Sequence, residues 1–271
     1  MHRIVAALAI VLATSGPAFA TWSVIALDQK TGAVAVGSAA CLAQRSFVDL
    51  KAKGLMDLQA IVVPGKAVAV AQAGIADGIR TNQRLIYTEL ARGTDPDALL
   101  YMLLQDASIE SRQFAILDME GRQAAFSGSA TPAVSLHQQG QVPGTDIRYS
   151  VQGDYLPSAD ALQAAVQALT MYSGALADRV MAAMEAADAY GGDRRCSCES
   201  QPTVKACETK TAHVAYLLLA QKSDRNKESY NDGQYAMYIS VTDDDIKPAE
   251  DANPVKTLRL RYEAWKRARP N

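Results

Sequence analysis

The sequence predicts an α+β fold of stacked, largely antiparallel sheets with helices on their outer faces. Three observations carry this prediction. Apolar runs of strand length come in pairs joined by short turns. Pairs of helical patterns separate the strand pairs, in place of strict strand–helix–strand units. The leading runs are almost continuously apolar, as strands covered on both faces are. The chain has 271 residues, 27 Lys+Arg and 29 Asp+Glu, for a formal charge of −2. Such a balance lacks the basic footprint of a nucleic-acid binder, so no nucleic-acid partner is expected.

The first 20 residues read as a secretory signal. Arg3 supplies a short positive start, Ile4 to Ala13 an apolar core, and Ala18 and Ala20 the small residues that precede a cut. The core is shorter than the ~20 apolar residues needed to cross a bilayer. The residue after the cut is Thr21 rather than the Cys that a lipid anchor needs, so no stable membrane anchor is expected. An uncleaved N-terminal anchor is the alternative. Removing 20 of 271 residues leaves 251, enough for one domain over 21–271 with an ample core. A secreted or periplasmic location follows.

The elements then follow in order. Trp22 to Asp28 and Ala33 to Ala39 form a hairpin about Gln29-Lys30-Thr31-Gly32. Leu42 to Leu58 is mixed in character and reads as irregular. Gln59 to Val63 and Ala67 to Gln72 pair about Pro64-Gly65-Lys66. Ile79, Leu85, Ile86 and Leu90 share a helical face that Gly93 closes. Thr94 or Asp95 caps a second helix, with Pro96 in its first turn and Leu99, Leu100, Leu103 and Leu104 inward. Arg112 to Asp118 and Arg122 to Ser127 make another hairpin. A Gly/Pro/Gln-rich loop leads to a strand over Arg148 to Gln152.

The second helix pair is marked by Leu162, Val166 and Leu169 after a Ser158 cap, then by Leu176, Val180, Met181 and Met184 up to Gly191-Gly192. The Met171, Met181 and Met184 set reads as core filling. Asp193 to Lys210 is a polar, cysteine-bearing loop. Ala212 to Ala220 and Tyr235 to Thr242 form a last hairpin about Asn231-Asp232-Gly233, and a terminal helix covers Pro254 to Arg267. Asp243-Asp244-Asp245 lacks the spacing of a calcium loop and reads as a solvated turn.

Four cysteines, Cys41, Cys196, Cys198 and Cys207, are an even count in an exported chain, which favours two disulfides over free thiols or zinc. Spacing alone does not fix the pairing. Cys41 with Cys196 and Cys198 with Cys207 is the expected arrangement. The three histidines include His2 within the signal, which leaves His137 and His213. That scarcity argues against a multi-histidine metal centre and leaves few ways to build a Ser-His-Asp triad, so no metal or cofactor is expected.

Thr21 is the sharp candidate for chemistry. If the cut falls before it, one residue carries both a hydroxyl nucleophile and an α-amine able to act as its base. An unperturbed α-amine has a pKa of about 7.7–8.0, so a useful fraction is free base near neutrality. The competing reading is that Thr21 is only the residue left by export.

Here a resemblance bears on the choice. Thr21-Trp22-Ser23-Val24-Ile25-Ala26-Leu27-Asp28 resembles the opening of a domain-of-unknown-function family grouped with the N-terminal nucleophile (Ntn) hydrolases. Further similar blocks are Val34 to Cys41, Val63-Pro64-Gly65-Lys66, Val70-Ala71-Gln72-Ala73 and Gly128-Ser129-Ala130-Thr131-Pro132. They continue through Tyr149-Ser150-Val151-Gln152-Gly153, Gly191-Gly192-Asp193-Arg194-Arg195-Cys196 and Asn253-Pro254-Val255 to Tyr262-Glu263-Ala264-Trp265. The resemblance spans nearly the whole mature chain. It implies the four-layer αββα sandwich of Ntn hydrolases, with the N-terminal residue at the active site.

The expected function is then an exported amidohydrolase acting through an acyl-enzyme on Thr21. Its expected partner is a small amide, peptide or cell-wall-derived substrate, with homodimer formation left open. A non-catalytic binder of cell-wall or surface components on the same scaffold is the rival reading. Backbone N–H groups near Gly153, with Gln72 or Asp154, are the candidate oxyanion donors. The family usually carries Asn where this chain has Asp154, and an ionised carboxylate would repel an oxyanion. Asp193 could orient the Thr21 amine or hold a substrate amine, or simply cap the chain after a helix. Arg194 and Arg195 could hold a carboxylate, although arginines in polar loops are usually solvated. Lys53 could lower the amine's pKa if it lay near.

Overall fold

Along the first strand, β1 (Thr21–Asp28), alternate side chains enter different cores. Trp22, Val24 and Ala26 join a core shared with helices, whereas Ile25 and Leu27 join a core lying between two sheets. This period-2 alternation in an unbroken apolar run marks a strand with both faces covered. The computed structural model describes residues 21–74, 80–200 and 206–269. The expected signal (1–20), Ile79 of the first helix and residues 201–205 of the cysteine-bearing loop lie outside the described residues.

The chain continues through β2 (Ala33–Ala40), the short helices α1 (Ser46–Asp49) and α2 (Leu55–Gln59), β3 (Ala60–Val63) and β4 (Ala67–Ala73). Then come α3 (Thr81–Arg92), α4 (Pro96–Leu103), β5 (Arg112–Asp118), β6 (Gln123–Ser127), β7 (Leu136–Gln141) and β8 (Ile147–Gly153). Helices α5 (Ala159–Met171) and α6 (Leu176–Ala189), strands β9 (Val214–Ala220) and β10 (Met237–Thr242), and α7 (Pro254–Arg267) complete it.

The strands form a six-stranded sheet in the order β10-β9-β2-β1-β8-β7 and a four-stranded sheet in the order β3-β4-β5-β6, and the paired strands are antiparallel. Helices α5, α6 and α7 cover the outer face of the larger sheet, and α3 and α4 that of the smaller one. The result is the four-layer αββα sandwich. Helix α6 approaches β2 so closely that a Cβ on Gly37 would lie 2.8 Å from Val180 Cγ1 and 2.9 Å from Met184 Cγ. Fully burying a side chain such as Leu27 or Val180 is worth about 1.5–3 kcal/mol, and dozens of such residues line the three cores.

The layer between the sheets is not uniform. At one end it is aliphatic, with Leu27, Val34, Val36, Val68, Val70 and Leu117. At the end where β1 begins it becomes amide and hydroxyl, with Ser23, Gln72, Gln113, Ser150 and Gln152 all buried. Across β1, Thr21 stands opposite Ala40 of β2, and Trp22 opposite Gly153 of β8. The polar end therefore collects around Thr21.

Capping follows the sequence chemistry. The side chains of Asp95, Ser158 and Asn253 accept hydrogen bonds from the N–H groups of Asp97, Asp160 and Val255. Gly93 closes α3 with φ 88°.

Several expectations are corrected. Leu55–Gln59 is a helix that buries Leu55, Leu58 and Gln59; it begins inside the stretch read as irregular and ends on Gln59, the expected start of a strand. The Gln-rich loop contains β7, whose glutamines lie on an edge strand with an exposed face. Strands β9 and β10 do pair, but residues 221–236 join them in place of a tight turn. There the Asn231 side chain is buried and donates to the carbonyls of Met56 and Ala60. Met181 and Met184 fill the core, whereas Met171 ends α5 in solvent at 74% exposure, and Leu104 lies past the end of α4 at 40%. Asp244 and Asp245 are exposed as expected, but the Asp243 side chain is buried on Lys210 and His213.

Candidate active site

Thr21 is buried, at 2% exposure, as the first residue of β1. Its nitrogen donates to Asp154 Oδ1 at 2.7 Å, and the Asp154 N–H donates back to Thr21 O at 3.2 Å. Asp154 directly follows β8, the strand paired with β1, so the sheet register itself brings the two together across 133 positions of sequence. Gln72, near the end of β4, reaches from the opposite sheet and donates to the same Thr21 carbonyl at 3.0 Å. The residue is thus held by its nitrogen and its carbonyl at once.

Gln72 is held in turn. Its Oε1 accepts from Ser23 Oγ at 2.6 Å, and its Nε2 also donates to Gln113 Oε1 at 2.7 Å. Both amide protons are therefore committed, one of them to Thr21 O. Gln113 Nε2 lies within hydrogen-bond range of Ser127 Oγ at 2.8 Å and Gly153 O at 3.2 Å. Gln152 Nε2 donates to Ser23 Oγ, and Ser150 Oγ to Gln152 Oε1 at 2.9 Å. In a low-dielectric interior, a polar network satisfied in this way is rigid.

Asp154 is fully buried, and its Oδ2 accepts no hydrogen bond among the described residues. Burial pushes its carboxyl up from 3.8 to about 7; the Thr21 N–H opposes this shift, the Asp193 charge adds to it, and the Arg195 charge opposes it. Asp193, also fully buried, holds Arg195 in a two-point pair, Nε to Oδ1 at 3.0 Å and Nη2 to Oδ2 at 2.7 Å. Its Oδ2 also accepts from the Cys41 N–H at 3.2 Å. The turn that delivers Asp193 needs glycine at Gly192: φ is +50°, and a Cβ there would lie 2.6 Å from the Trp22 ring.

The structure brings Thr21, Gln72, Gly153, Asp154 and Asp193 to one place. Of the two arginines, Arg195 is the inner one, paired with Asp193 and 4.3 Å from the centre of the Tyr155 ring. Arg194 is exposed, with its guanidinium 5.7 Å from that ring. Lys53 is exposed, and its N–H donates to Asp57. The N–H groups expected as oxyanion donors at Gln72 and Asp154 both point at Thr21 O, so they anchor the strand end. Sequence reasoning missed Gln113, whose signal was a glutamine leading into the apolar run Phe114-Ala115-Ile116-Leu117 of its strand.

Both expected disulfides form: Cys41–Cys196, 155 positions apart, and Cys198–Cys207, 9 apart. No helix among the described residues is long and apolar enough to cross a membrane.

A family model described as "Family of unknown function (DUF1028)" matches residues 21–217. Among solved structures, the chain is similar to the crystal structure of protein SPO2555 from Silicibacter pomeroyi, also of that family, with TM-score 0.64 and 19% identity. The match covers 91% of this chain and 86% of that one. At that identity the likeness concerns the fold. No curated protein matches the chain.

Proposed function

From the premise that this chain belongs to the DUF1028 family, we propose that it is an exported N-terminal threonine amidohydrolase of the Ntn type. The single observation that carries the reading is the Asp154 carboxylate, buried 2.7 Å from the Thr21 nitrogen with one oxygen lacking a donor among the described residues. A peptide nitrogen offers that carboxylate one proton and no charge. The ammonium left by cleavage after Ala20 offers three protons and a positive charge, which is what a buried carboxylate needs. The chain is secreted or periplasmic on this reading, consistent with its two disulfides.

In the reaction, Thr21 Oγ attacks an amide carbonyl carbon while the free Thr21 amine takes the hydroxyl proton. That proton passes to the leaving amine as the C–N bond breaks, and water then releases the acyl group with the same amine as base. Asp154 and Gln72 are positioning residues here: one holds the nitrogen, the other the carbonyl. The Asp193–Arg195 pair sets the charge around Asp154. Amide-bearing peptides, cell-wall fragments and acylated small molecules are the substrates an exported enzyme of this type meets.

Intact mass of the exported protein tests the first half of the reading, with Thr21 expected as the first residue. A β-lactone probe followed by peptide mapping tests the second. An adduct on the Thr21 peptide, lost in Thr21→Ala, is the expected result. A correctly processed protein whose Thr21 stays unmodified overturns the enzymatic reading and leaves a binding protein.

A further inference from the structure

His213 lies immediately before β9, and its side chain is buried. Its Nδ1 is 2.7 Å from Asp243 Oδ2, and its Nε2 is 3.0 Å from Ser200 Oγ. The other Asp243 oxygen lies 2.6 Å from Nζ of Lys210, itself buried. A carboxylate only accepts, so the neutral imidazole carries its proton on Nδ1 and presents the lone pair of Nε2 to the serine. Ser200 is at an exposed position, and its Oγ also accepts from the Ser197 N–H at 3.1 Å.

The surroundings fix this alignment. Cys41–Cys196 and Cys198–Cys207 brace the loop that bears Ser200. The Cys41 and Cys196 sulfurs lie within 4.8 Å of a His213 ring nitrogen; joined to each other, they clamp the loop and offer no thiolates to a metal. The His213 N–H donates to Ala40 O at 2.8 Å, and Ala40 is the residue opposite Thr21. The array therefore stands at the Thr21 end of the sheet, two strands over, about 10 Å away by strand spacing.

We propose that Ser200, His213 and Asp243 form a second nucleophilic centre, one that accepts acyl groups from esters. Serine, imidazole and carboxylate in this order constitute an activated hydroxyl whatever their place in the sequence. Ser200 Oγ bonds to the acyl carbon as its proton passes to His213 Nε2. The ester C–O bond then breaks, and that proton leaves with the alkoxide as an alcohol. Water attacks the acyl-serine, gives one proton to Nε2 and releases the acid; Nε2 returns the proton to Ser200. Asp243 holds Nδ1–H throughout.

The leaving group follows from the described N–H groups beside Ser200, those of Glu199 and Ser200. The Glu199 N–H donates to Ser197 Oγ at 3.2 Å and the Ser200 N–H to Ser197 O at 3.2 Å, so neither is turned toward an oxyanion. At rest the Ser200 hydroxyl also reaches Ser197 O at 2.7 Å, and rotation about its Cβ–Oγ bond selects the acceptor. Base assistance alone gives about 10²–10⁴-fold over an unassisted serine. That suits esters with good leaving groups and falls short of amides.

The test is fluorophosphonate labelling from pH 5 to 9 with peptide mapping, beside p-nitrophenyl acetate hydrolysis. It compares the processed wild-type chain with Thr21→Ala, Ser200→Ala and His213→Gln. The expected adduct lies on the Ser200 peptide, persists in Thr21→Ala, vanishes in Ser200→Ala and forms about 100-fold more slowly in His213→Gln. Because His213 is buried and its variant can misfold, Ser200→Ala at an exposed position is the second arm; added to Thr21→Ala, so that Thr21 cannot turn over the ester, it must lose the remaining ester hydrolysis. A folded protein with an unmodified Ser200, or with hydrolysis unchanged when Ser200→Ala is added to Thr21→Ala, overturns the proposal. An adduct on Thr21 alone overturns it and leaves the amidohydrolase reading standing; one on Ser200 alone does the reverse.

Discussion

Replacing Asp154 by Asn keeps an acceptor 2.7 Å from the Thr21 nitrogen and removes the charge. With Thr21 still in peptide linkage, burial holds the Asp154 carboxyl at about 7 against an ordinary 3.8. An acid whose pKa rises on folding favours the fold in its protonated form. Stability is therefore lost as pH climbs from about 4 to about 7, and the loss is complete above that. At 1.36 kcal/mol for each pH unit, the full effect is roughly 4 kcal/mol. Asp154→Asn is thus expected to stabilise an unprocessed chain by up to that amount at pH 8 and to change little at pH 4. In the processed chain the same carboxylate faces an ammonium, and the substitution should forfeit the gain or reverse it. Opposite charges this close shift a pKa by about one to three units, so Asp154→Asn should also lower the amine's pKa by that much. Urea unfolding of both forms at pH 4 and 8, with β-lactone labelling against pH, reads both effects. Equal stability changes in the two forms, or an acid limb of labelling that stays put, would refute Asp154 as the partner of a free N-terminus.

Disulfide and glycine substitutions probe the frame around the site. The loop-closure relation assigns about 5 kcal/mol to Cys41–Cys196 and about 2.5 kcal/mol to Cys198–Cys207, from separations of 155 and 9. Paired Cys→Ala variants in denaturant unfolding should keep that order. Gly192→Ala combines a φ of +50° with a Cβ 2.6 Å from Trp22, so a destabilisation of about 2–4 kcal/mol is expected, with weaker Thr21 labelling. Gly144→Ala, at φ +71° with open space around it, should lose only about 1 kcal/mol and leave labelling intact.

The layered fold was legible because each of its buried elements carries its own period. Trp22-Ser23-Val24-Ile25-Ala26-Leu27 is buried at every position, as a strand covered on both faces is. Caps at Asp95, Ser158 and Asn253 were legible for the same local reason. Strand β7 was not, since an edge strand with a wet face has no apolar pattern to betray it. At the site, the residue types were legible and their pairing was not. That Asp154 meets the Thr21 nitrogen depends on the β1–β8 register, and that Gln72 meets its carbonyl depends on how one sheet lies on the other. Arg195 took the inner place, with Arg194 outside, because only one of two adjacent side chains can turn toward Asp193. Two histidines left few ways to build a Ser-His-Asp array, and the chain places one of them, His213, between Ser200 and Asp243.

The amides between the sheets fix the end of the layer at which Thr21 sits. Ser23, Gln72, Gln113, Ser150 and Gln152 are buried where aliphatic side chains would pack as well, and each has a hydrogen-bond partner. Such a network fixes the strand end against small displacements, which an aliphatic layer at a sheet edge does not. Within it, Asp154 Oδ2 is the buried oxygen without a donor among the described residues. It lies on the carboxylate that faces the Thr21 nitrogen, where scission would deliver two more protons and a charge. On this argument cleavage completes the polar layer and activates the residue by the same step. The processed chain should therefore be both the reactive form and the one in which Asp154 no longer weighs against folding.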